Sequence, residues 1–348
     1  MRSLYCTADL IGTPSGGGAV TANELEALGA ISDEVVALSA AQINPGLFGQ
    51  PDSPFASDYF ALLSIQGQRF DLAHLYSGTF SATVRYLKEK GTKVSYCVPA
   101  HDRRTTVEEF ERLGLEYPWA HIKVDSLWRI FSQGYREADV VIAPSIASAR
   151  FLEAEGCENV DVIHHGCNLP ERVAPLPAAF TAGYLGQAGP DKGLVYLIGA
   201  WETLNYPDNI LVLAGPGTEG LAPFIQQKVG GGQFKLAGFV QDKSAFFNSI
   251  SVFIQPSVVE SFGICVLEAM AHQRPVVVSE GAGVSELVGD AGFVVPIRDR
   301  KAIAEKIDWL KRHPAQAAEM GRRGRKIAEK YTWQKIQKQY QGLWKNIQ

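Results

Sequence analysis

The chain has 348 residues, more than one domain usually holds and enough for two. Hydrophobic residues make up 46% of it and charged residues 20%, the composition of an ordinary globular protein. The formal net charge of -4 argues against a general nucleic-acid binder, so no nucleic-acid partner is expected.

Five cysteines are scattered along the chain without a Cys-x-x-Cys pair, so the sequence suggests neither a zinc site nor a disulfide framework. No apolar run approaches the roughly 20 residues of a membrane span. The first residues, Met1 to Cys6, predict a strand rather than a signal peptide. We therefore expect a cytoplasmic protein with free thiols.

Short apolar runs alternate with helix-length amphipathic stretches throughout the sequence. This alternation predicts an α/β fold in which helices cover both faces of parallel sheets. The predicted strands are, in chain order, Leu4–Ala8, Val35–Leu38, Leu72–Tyr76, Val94–Val98, Val140–Ala143, Val160–Ile163, Ala182–Leu185, Ile210–Ala214, Phe234–Leu236, Val252–Gln255, Val276–Ser279 and Gly292–Val295.

Residues 166–180 interrupt the alternation with three prolines and no periodicity, which is typical of a linker. We therefore predict two doubly wound, Rossmann-like domains that face a cleft, residues 1–168 and residues 178–331. A final helix over residues 332–348 carries an apolar face that needs a packing partner.

Basic residues are concentrated near the C-terminus, among them Arg322, Arg323, Lys335 and Lys338. They indicate either a solvated helix face or peripheral contact with an anionic surface, such as the inner face of a membrane.

Residues 256–290 contain the most informative motif. Glu260 ends a loop after a predicted strand, Ser261 to Gly263 begin a predicted helix, and Glu268 lies about two turns further on. Open N–H groups at a helix start favour an anion, and a carboxylate on either side accepts hydrogen bonds from hydroxyls. This layout fits a sugar, a diphosphate and a ribose in series, although two glutamates eight residues apart also occur by chance.

Three glycine turns follow other predicted strands: Asp191-Lys192-Gly193, Gly215-Pro-Gly217 and Gly281-Ala-Gly283. Each alone is typical of a plain strand-to-helix turn. Because the carboxyl ends of parallel strands share one edge of a sheet, the three together predict a phosphate-binding rim that includes Lys192.

The second half of the chain resembles family 4 of the retaining glycosyltransferases, which have the two-Rossmann GT-B architecture. The resemblance is carried by YLGQAGPDKG at 184–193, LVLAGPG at 211–217, LAGFV at 236–240 and ESFGICVLEAMA at 260–271. The last segment contains the family's two glutamates separated by seven residues. The resemblance extends more weakly over the first half, and it implies that the final helix crosses back to the N-terminal domain.

The resemblance implies a donor site in the second domain. Glu260 would lie against the donor sugar as a catalytic residue, and Glu268 would bind the ribose hydroxyls. Lys192 would neutralise the diphosphate as it leaves. The other donor-binding residues would be Gln187, Gly215, Phe239, Val240, Ser261, Phe262 and Gly263.

In the first domain, the resemblance implies that the loop containing Gly17 and Gly18 approaches the donor phosphate and the acceptor; a flexible turn is the alternative. His101 and Asp102 follow a predicted strand at the sheet edge and are candidate catalytic residues. A histidine there could donate to the donor sugar or sense the acceptor hydroxyl. The same pair is also typical of a loop cap.

The resemblance implies retaining transfer of a sugar from a nucleotide diphosphate sugar to a carbohydrate or lipid-linked acceptor, in glycan or glycolipid synthesis. Neither a metal nor a cofactor is expected. Gln187 stands where the family usually has arginine, and glutamine does not supply the charge that binds a diphosphate. Two alternatives stay open: a non-catalytic nucleotide-sugar-binding subunit of a glycan assembly complex, and a nucleotide-sugar epimerase.

Overall fold

The computed structural model describes residues 1–13, 15–39, 53–116, 132–226 and 233–348. The chain divides into two compact units. The first unit contains Met1–His101, Tyr117–Gly166 and Trp333–Gln348, and the second contains Asp102–Glu116 and Cys167–Thr332. Within the described ranges, no helix is both long enough and apolar enough to cross a membrane.

The first unit is built on a six-stranded parallel sheet in the order β2-β1-β3-β4-β5-β6. Its strands are β1 (Arg2–Thr7), β2 (Glu34–Ser39), β3 (Leu72–Tyr76), β4 (Lys93–Cys97), β5 (Val140–Ala143) and β6 (Val160–Val162). Its helices include Gly16–Gly29, Ser53–Ile65, Ser81–Glu89, Ile146–Ala154 and Trp333–Ile347. Every residue of β3 is buried, as expected for a central strand with both faces covered.

The second unit has its own six-stranded parallel sheet in the order β12-β11-β10-β7-β8-β9. Its strands are β7 (Thr181–Leu185), β8 (Ile210–Ala214), β9 (Gln233–Gly238), β10 (Val252–Gln255), β11 (Val276–Ser279) and β12 (Gly292–Val295). Its helices include Arg103–Arg112, Leu194–Leu204, Ala222–Gln226, Lys243–Asn248, Ile264–Ala271, Arg300–Arg312 and Pro314–Ala328.

Alternate residues of the second sheet enter two separate hydrophobic cores. Along β10, Phe253 packs in the core that contains Phe247, whereas Ile254 packs in the core that contains Trp201. This is the side-chain alternation of a strand buried on both faces.

The structure confirms the α/β class and each of the twelve predicted strands, whose ends differ from the prediction by at most two residues. The final helix, Trp333–Ile347, belongs to the first unit, as predicted. On the preceding helix, Arg322 and Arg323 form ion pairs with Glu319. These pairs favour the solvated-face interpretation of the basic residues.

Residues 102–116 differ from the predicted domain ranges, because they group with the second unit. Helix Arg103–Arg112 carries Glu109, whose carboxylate is fully buried. This carboxylate accepts hydrogen bonds from the Tyr196 hydroxyl at 2.5 Å and from Arg298 Nε at 2.7 Å. Both partners are more than eighty residues away in sequence, so a local pattern does not reveal the association.

The predicted linker contains no helix or strand from residue 168 to residue 180. Arg274, which is completely buried, donates hydrogen bonds to the carbonyl oxygens of Ala174, Pro175 and Ile250. Desolvation lowers the pKa of Arg274 to about 10, so the guanidinium stays charged at neutral pH. This side chain fixes the middle of the linker to the second unit.

A buried polar cluster holds the final helix in the first unit. The Glu24 carboxylate, 1% exposed, accepts hydrogen bonds from the hydroxyls of Tyr5 at 2.9 Å and Tyr340 at 2.7 Å. His74 Nε2 lies 3.3 Å from the same carboxylate. Burial by itself raises the pKa of Glu24, but His74 and Tyr340 outweigh burial, and the pKa lies below its ordinary value of 4.5.

Replacing Glu24 tests this cluster. Glu24→Ala should lower the free energy of unfolding by about 3 kcal/mol, because the hydroxyls of Tyr5 and Tyr340 lose a buried acceptor. Urea denaturation followed by tryptophan fluorescence measures the change. Glu89→Gln, at an exposed position of helix Ser81–Glu89 in the same unit, is the control and should stay within about 0.5 kcal/mol of the wild type. Equal unfolding midpoints for Glu24→Ala and the wild type would contradict the assignment.

The lowered pKa of Glu24 also predicts a dependence on pH. A carboxyl group with a depressed pKa in the folded state adds stability above its ordinary pKa of 4.5 and loses it as the pH falls through the folded value. The wild type should therefore be more stable than Glu24→Gln at pH 7, and this difference should shrink below pH 4.5. Denaturation curves of both proteins at pH 7 and below pH 4.5 measure the difference in unfolding free energy. A difference that does not change with pH would contradict the lowered pKa of Glu24.

Candidate functional site

The loops that follow β7, β8, β9, β10 and β11 leave the second sheet at the same carboxyl edge. In open α/β sheets this edge is where ligands bind. Most of the residues predicted for a donor site lie in these loops and in the helices that follow them.

One cluster joins the loops after β7 and β10. The turn Pro190–Lys192 ends at Gly193, which adopts φ 66°, and presents the Lys192 ammonium. Lys192 Nζ lies 2.8 Å from Glu260 Oε2 and 3.0 Å from Asp191 Oδ2. The backbone joins the same loops, because the amide of Val258 donates to the Asp191 carbonyl at 2.8 Å.

Burial lowers the pKa of Lys192, but the carboxylates of Glu260 and Asp191 raise it more, so that the net pKa lies above its ordinary value of 10.5. The ammonium is therefore charged at neutral pH. The side chains of Lys192 and Glu260 are 22% and 21% exposed, which leaves both accessible to a ligand.

The helix that contains Glu268 begins later than predicted. Ser261, Phe262 and Gly263 precede helix Ile264–Ala271 instead of forming its first turn, because Gly263 adopts φ 102° and cannot continue a helix. The Phe262 ring is buried in a hydrophobic core, so its side chain does not face a ligand.

A second lysine, which the sequence analysis did not single out, binds the second glutamate. Lys243 Nζ lies 3.0 Å and 3.1 Å from the two carboxylate oxygens of Glu268. Desolvation lowers the pKa of Lys243, but the Glu268 carboxylate reverses this effect, and the net pKa is raised. Lys243 is the first residue of helix Lys243–Asn248, which Asp242 caps by accepting from the Ala245 amide.

His272 supports the pair of Lys243 and Glu268 through two hydrogen bonds. Its Nδ1 donates to the Glu268 carbonyl at 2.7 Å, and its Nε2 accepts from the Ser244 hydroxyl at 3.0 Å. Burial lowers the pKa of His272 below 6.5, which favours the neutral ring that this pattern requires. The start of helix Lys243–Asn248 is thus bound to helix Ile264–Ala271.

The remaining predicted donor residues lie in neighbouring loops of the same edge. Gly215 follows β8, and its amide donates to the Gly238 carbonyl at 2.6 Å. Phe239 is 53% exposed and Val240 is half-buried in the loop after β9. Gln187 follows β7 and is exposed, and its carbonyl accepts from the Tyr184 hydroxyl.

The prediction that Gly17 and Gly18 lie in a loop is wrong. They belong to the first turn of helix Gly16–Gly29, because the side chain of Ser15 accepts from the Gly18 amide and caps the helix. A Cβ on Gly17 would lie 3.8 Å from the carboxylate of Asp9. Burial raises the pKa of Asp9, an acid that follows β1 and that the sequence analysis missed.

His101 and Asp102 lie on either side of the boundary between the two units. Asp102 is the N-cap of helix Arg103–Arg112 and accepts from the Arg104 amide at 2.9 Å. The observed role of Asp102 is therefore the capping role, and catalytic roles for this pair stay predictions. Among the described residues, no group of three or more His, Cys, Asp and Glu side chains is placed to hold a metal ion.

The chain resembles known proteins in sequence and in fold. Residues 176–327 match the family model of the glycosyl transferases group 1. The chain has the GT-B fold, with two Rossmann-like domains. Sucrose-phosphate synthase from Thermosynechococcus elongatus superposes with a TM-score of 0.78 at 18% identity, over 100% of this chain and 99% of that one. Anabaena HepE, solved with UDP and glucose, superposes with a TM-score of 0.72 at 18% identity, over 99% of this chain and 100% of that one.

Curated relatives match part of the chain. The capsular polysaccharide biosynthesis glycosyltransferase CapM of Staphylococcus aureus is 31% identical over 176 residues, 46% of each chain. The D-inositol 3-phosphate glycosyltransferase of Streptomyces avermitilis is 30% identical over 238 residues, which are 59% of this chain and 49% of that one. The chain thus spans about half the length of these two relatives.

The backbone of Gly215 provides a test of the loop packing at this edge. Gly215 adopts φ 117°, and a Cβ there would overlap the Gly186 carbonyl. Gly215→Ala should therefore lower the free energy of unfolding by at least about 2 kcal/mol. Gly220→Ala is the control, because Gly220 has open space around it and should change stability by less than about 0.5 kcal/mol. Equal losses in urea denaturation would contradict the packing argument.

Proposed function

We propose that the protein is a glycosyltransferase that moves a sugar from a nucleotide diphosphate sugar to a hydroxyl group of an acceptor. The observation that carries the proposal is the arrangement of Glu260 and Glu268. They lie on either side of one helix start, and each is bound to a lysine. The family match over residues 176–327 supports the same activity.

In this proposal each charged group binds one part of the donor. Glu268 accepts hydrogen bonds from the ribose hydroxyls, and Glu260 accepts them from the sugar. The backbone around Gly263 and Ile264 faces the diphosphate, where the positive end of the helix dipole favours an anion. The loop with Phe239 and its neighbours meets the base.

The proposed reaction retains the configuration of the sugar. The bond between the anomeric carbon and the β-phosphate oxygen breaks, and the acceptor oxygen bonds to that carbon on the same face. The proton of the acceptor hydroxyl passes to the departing diphosphate. Positive charge develops on the sugar ring and negative charge on the diphosphate. Lys192, which stays protonated at neutral pH, stabilises the negative charge as it forms.

The names of several relatives support the proposed acceptor class. CapM is named for capsular polysaccharide biosynthesis, and other relatives are named as lipopolysaccharide core or O-antigen mannosyltransferases. We infer a carbohydrate or lipid-linked acceptor and a role in glycan or glycolipid synthesis. All five cysteines are free thiols, which fits a reducing cytosol as the place of the reaction.

A binding experiment tests the donor site. One nucleoside diphosphate from a panel of UDP, GDP and ADP should raise the melting temperature of the wild type, because it binds only the folded state. Glu268→Ala should bind that nucleotide about tenfold more weakly or worse, since it loses charged hydrogen bonds. Glu305→Gln, an exposed glutamate of helix Arg300–Arg312, should leave the affinity unchanged.

The outcomes separate the alternatives. A transferase releases nucleoside diphosphate from the donor only when an acceptor is present. Tight donor binding without turnover over many acceptors would indicate a non-catalytic subunit, and isomerisation of the donor sugar without release would indicate an epimerase. If no nucleotide raises the melting temperature, the proposed donor site is wrong.

A further inference from the structure

We propose that Lys243 is a second cation for the donor diphosphate and that it acts together with Lys192. The inference rests on the proposed function and adds a residue to it. It starts from the contact between Lys243 and Glu268, which joins elements 25 residues apart in sequence.

The position of Lys243 suits this role. It begins helix Lys243–Asn248 directly after the loop that contains Phe239 and Val240. Its ammonium touches both oxygens of Glu268, the carboxylate assigned to the ribose. A group beside the hydroxyls of a ribose lies within one side-chain rotation of the phosphate on the same ribose. Lysine has the flexible stem and the three donors that such a movement needs.

The charges of the site also require a second cation. Three carboxylates, those of Asp191, Glu260 and Glu268, face two ammonium groups, those of Lys192 and Lys243. Lys192 is shared between two of the carboxylates, so it cannot alone offset a diphosphate. Lys243 is bound to one carboxylate, and ribose hydroxyls can replace it there as donors. The ammonium then turns to the phosphate without leaving Glu268 unsatisfied.

Two neighbouring side chains, Gln187 and Arg298, are poor candidates for the second cation. Gln187, in the loop after β7, carries no charge. The Arg298 guanidinium follows β12 and is held by the buried Glu109 at 2.7 Å. Within the described part of this sheet edge, Lys192 and Lys243 are the two ammonium groups bound to the glutamates of the motif.

The experiment compares ligands that do or do not carry phosphate. Lys243→Met should weaken binding of the preferred nucleoside diphosphate about tenfold or more, and binding of the matching nucleoside less than about twofold. Isothermal titration measures the diphosphate, and competition measures the nucleoside. Lys243→Arg should keep most of the affinity. Lys235→Met, an exposed lysine of β9, is the matched control and should bind like the wild type. Equal losses for nucleoside and diphosphate would overturn the proposal.

Testing Lys243→Met in the Glu268→Gln variant as well separates a direct contact of Lys243 with phosphate from an effect through Glu268. If Lys243 binds phosphate, Lys243→Met should weaken diphosphate binding by a similar factor in the wild type and in Glu268→Gln. If Lys243 only orients the Glu268 carboxylate, the effect disappears in Glu268→Gln, and the proposal is wrong. Melting temperatures without ligand show that each variant folds.

Failure of this inference is distinct from failure of the proposed function. If the wild type binds a nucleoside diphosphate, and Glu268→Gln lowers that affinity but Lys243→Met does not, the proposed donor site stands and the proposed role of Lys243 is wrong. If the wild type binds no nucleoside diphosphate, both the proposed function and the proposed role of Lys243 are wrong.

Discussion

The ion pairs of Lys192 are the interaction on which the rest of the second unit's site depends. The ammonium lies in the turn after β7, and its partner Glu260 lies in the loop after β10, a neighbouring strand. The hydrogen bond from Val258 to the Asp191 carbonyl joins the same loops through the backbone. Because side chain and backbone both make the connection, the charges are in place before a ligand arrives. Such preorganisation is what makes charged groups effective in a binding site.

The site as a whole holds more negative than positive side chains, yet the ligand proposed for it is an anion. The two facts are compatible if the ligand brings donors of its own. In the proposed complex, hydroxyls at its two ends would replace the lysines on Glu260 and Glu268, and the ammonium groups would then face the phosphates between them. A bare phosphate offers no such exchange, so the arrangement favours a diphosphate with hydroxylated groups on both sides.

Much of this architecture could be predicted from sequence, because buried parallel strands are short apolar runs between amphipathic helices. The glycine turns and the two glutamates of the second unit could also be identified from sequence, because their spacing along the chain is the signal. The first turn of helix Gly16–Gly29 was missed, because the cap by Ser15 outweighs the poor helix propensity of three glycines. The pairing of Lys243 with Glu268 had no local signal, because it depends on how two short helices pack.

Long-range charge pairs explain the other difference. Helix Arg103–Arg112 lies between β4 and β5 of the first sheet in sequence and was therefore predicted to belong to the first domain. Glu109 finds its partners Tyr196 and Arg298 at separations of 87 and 189 residues, and it is buried among them. A buried carboxylate needs such partners, but sequence alone does not say where in the chain they are.

The cluster around Glu24 ties the order of synthesis to the order of folding. Glu24 accepts from Tyr340 as well as from Tyr5, and Ser95 accepts from Trp344 at 2.8 Å, so part of the hydrogen bonding of the first unit is completed by residues near the end of the chain. During translation the first sheet can form long before those partners leave the ribosome, with its buried carboxylate short of a donor. The first unit therefore reaches its final stability last, although it is made first. In a nascent chain, Glu24 has the Tyr5 hydroxyl as a donor but lacks the Tyr340 hydroxyl until the final helix has been made.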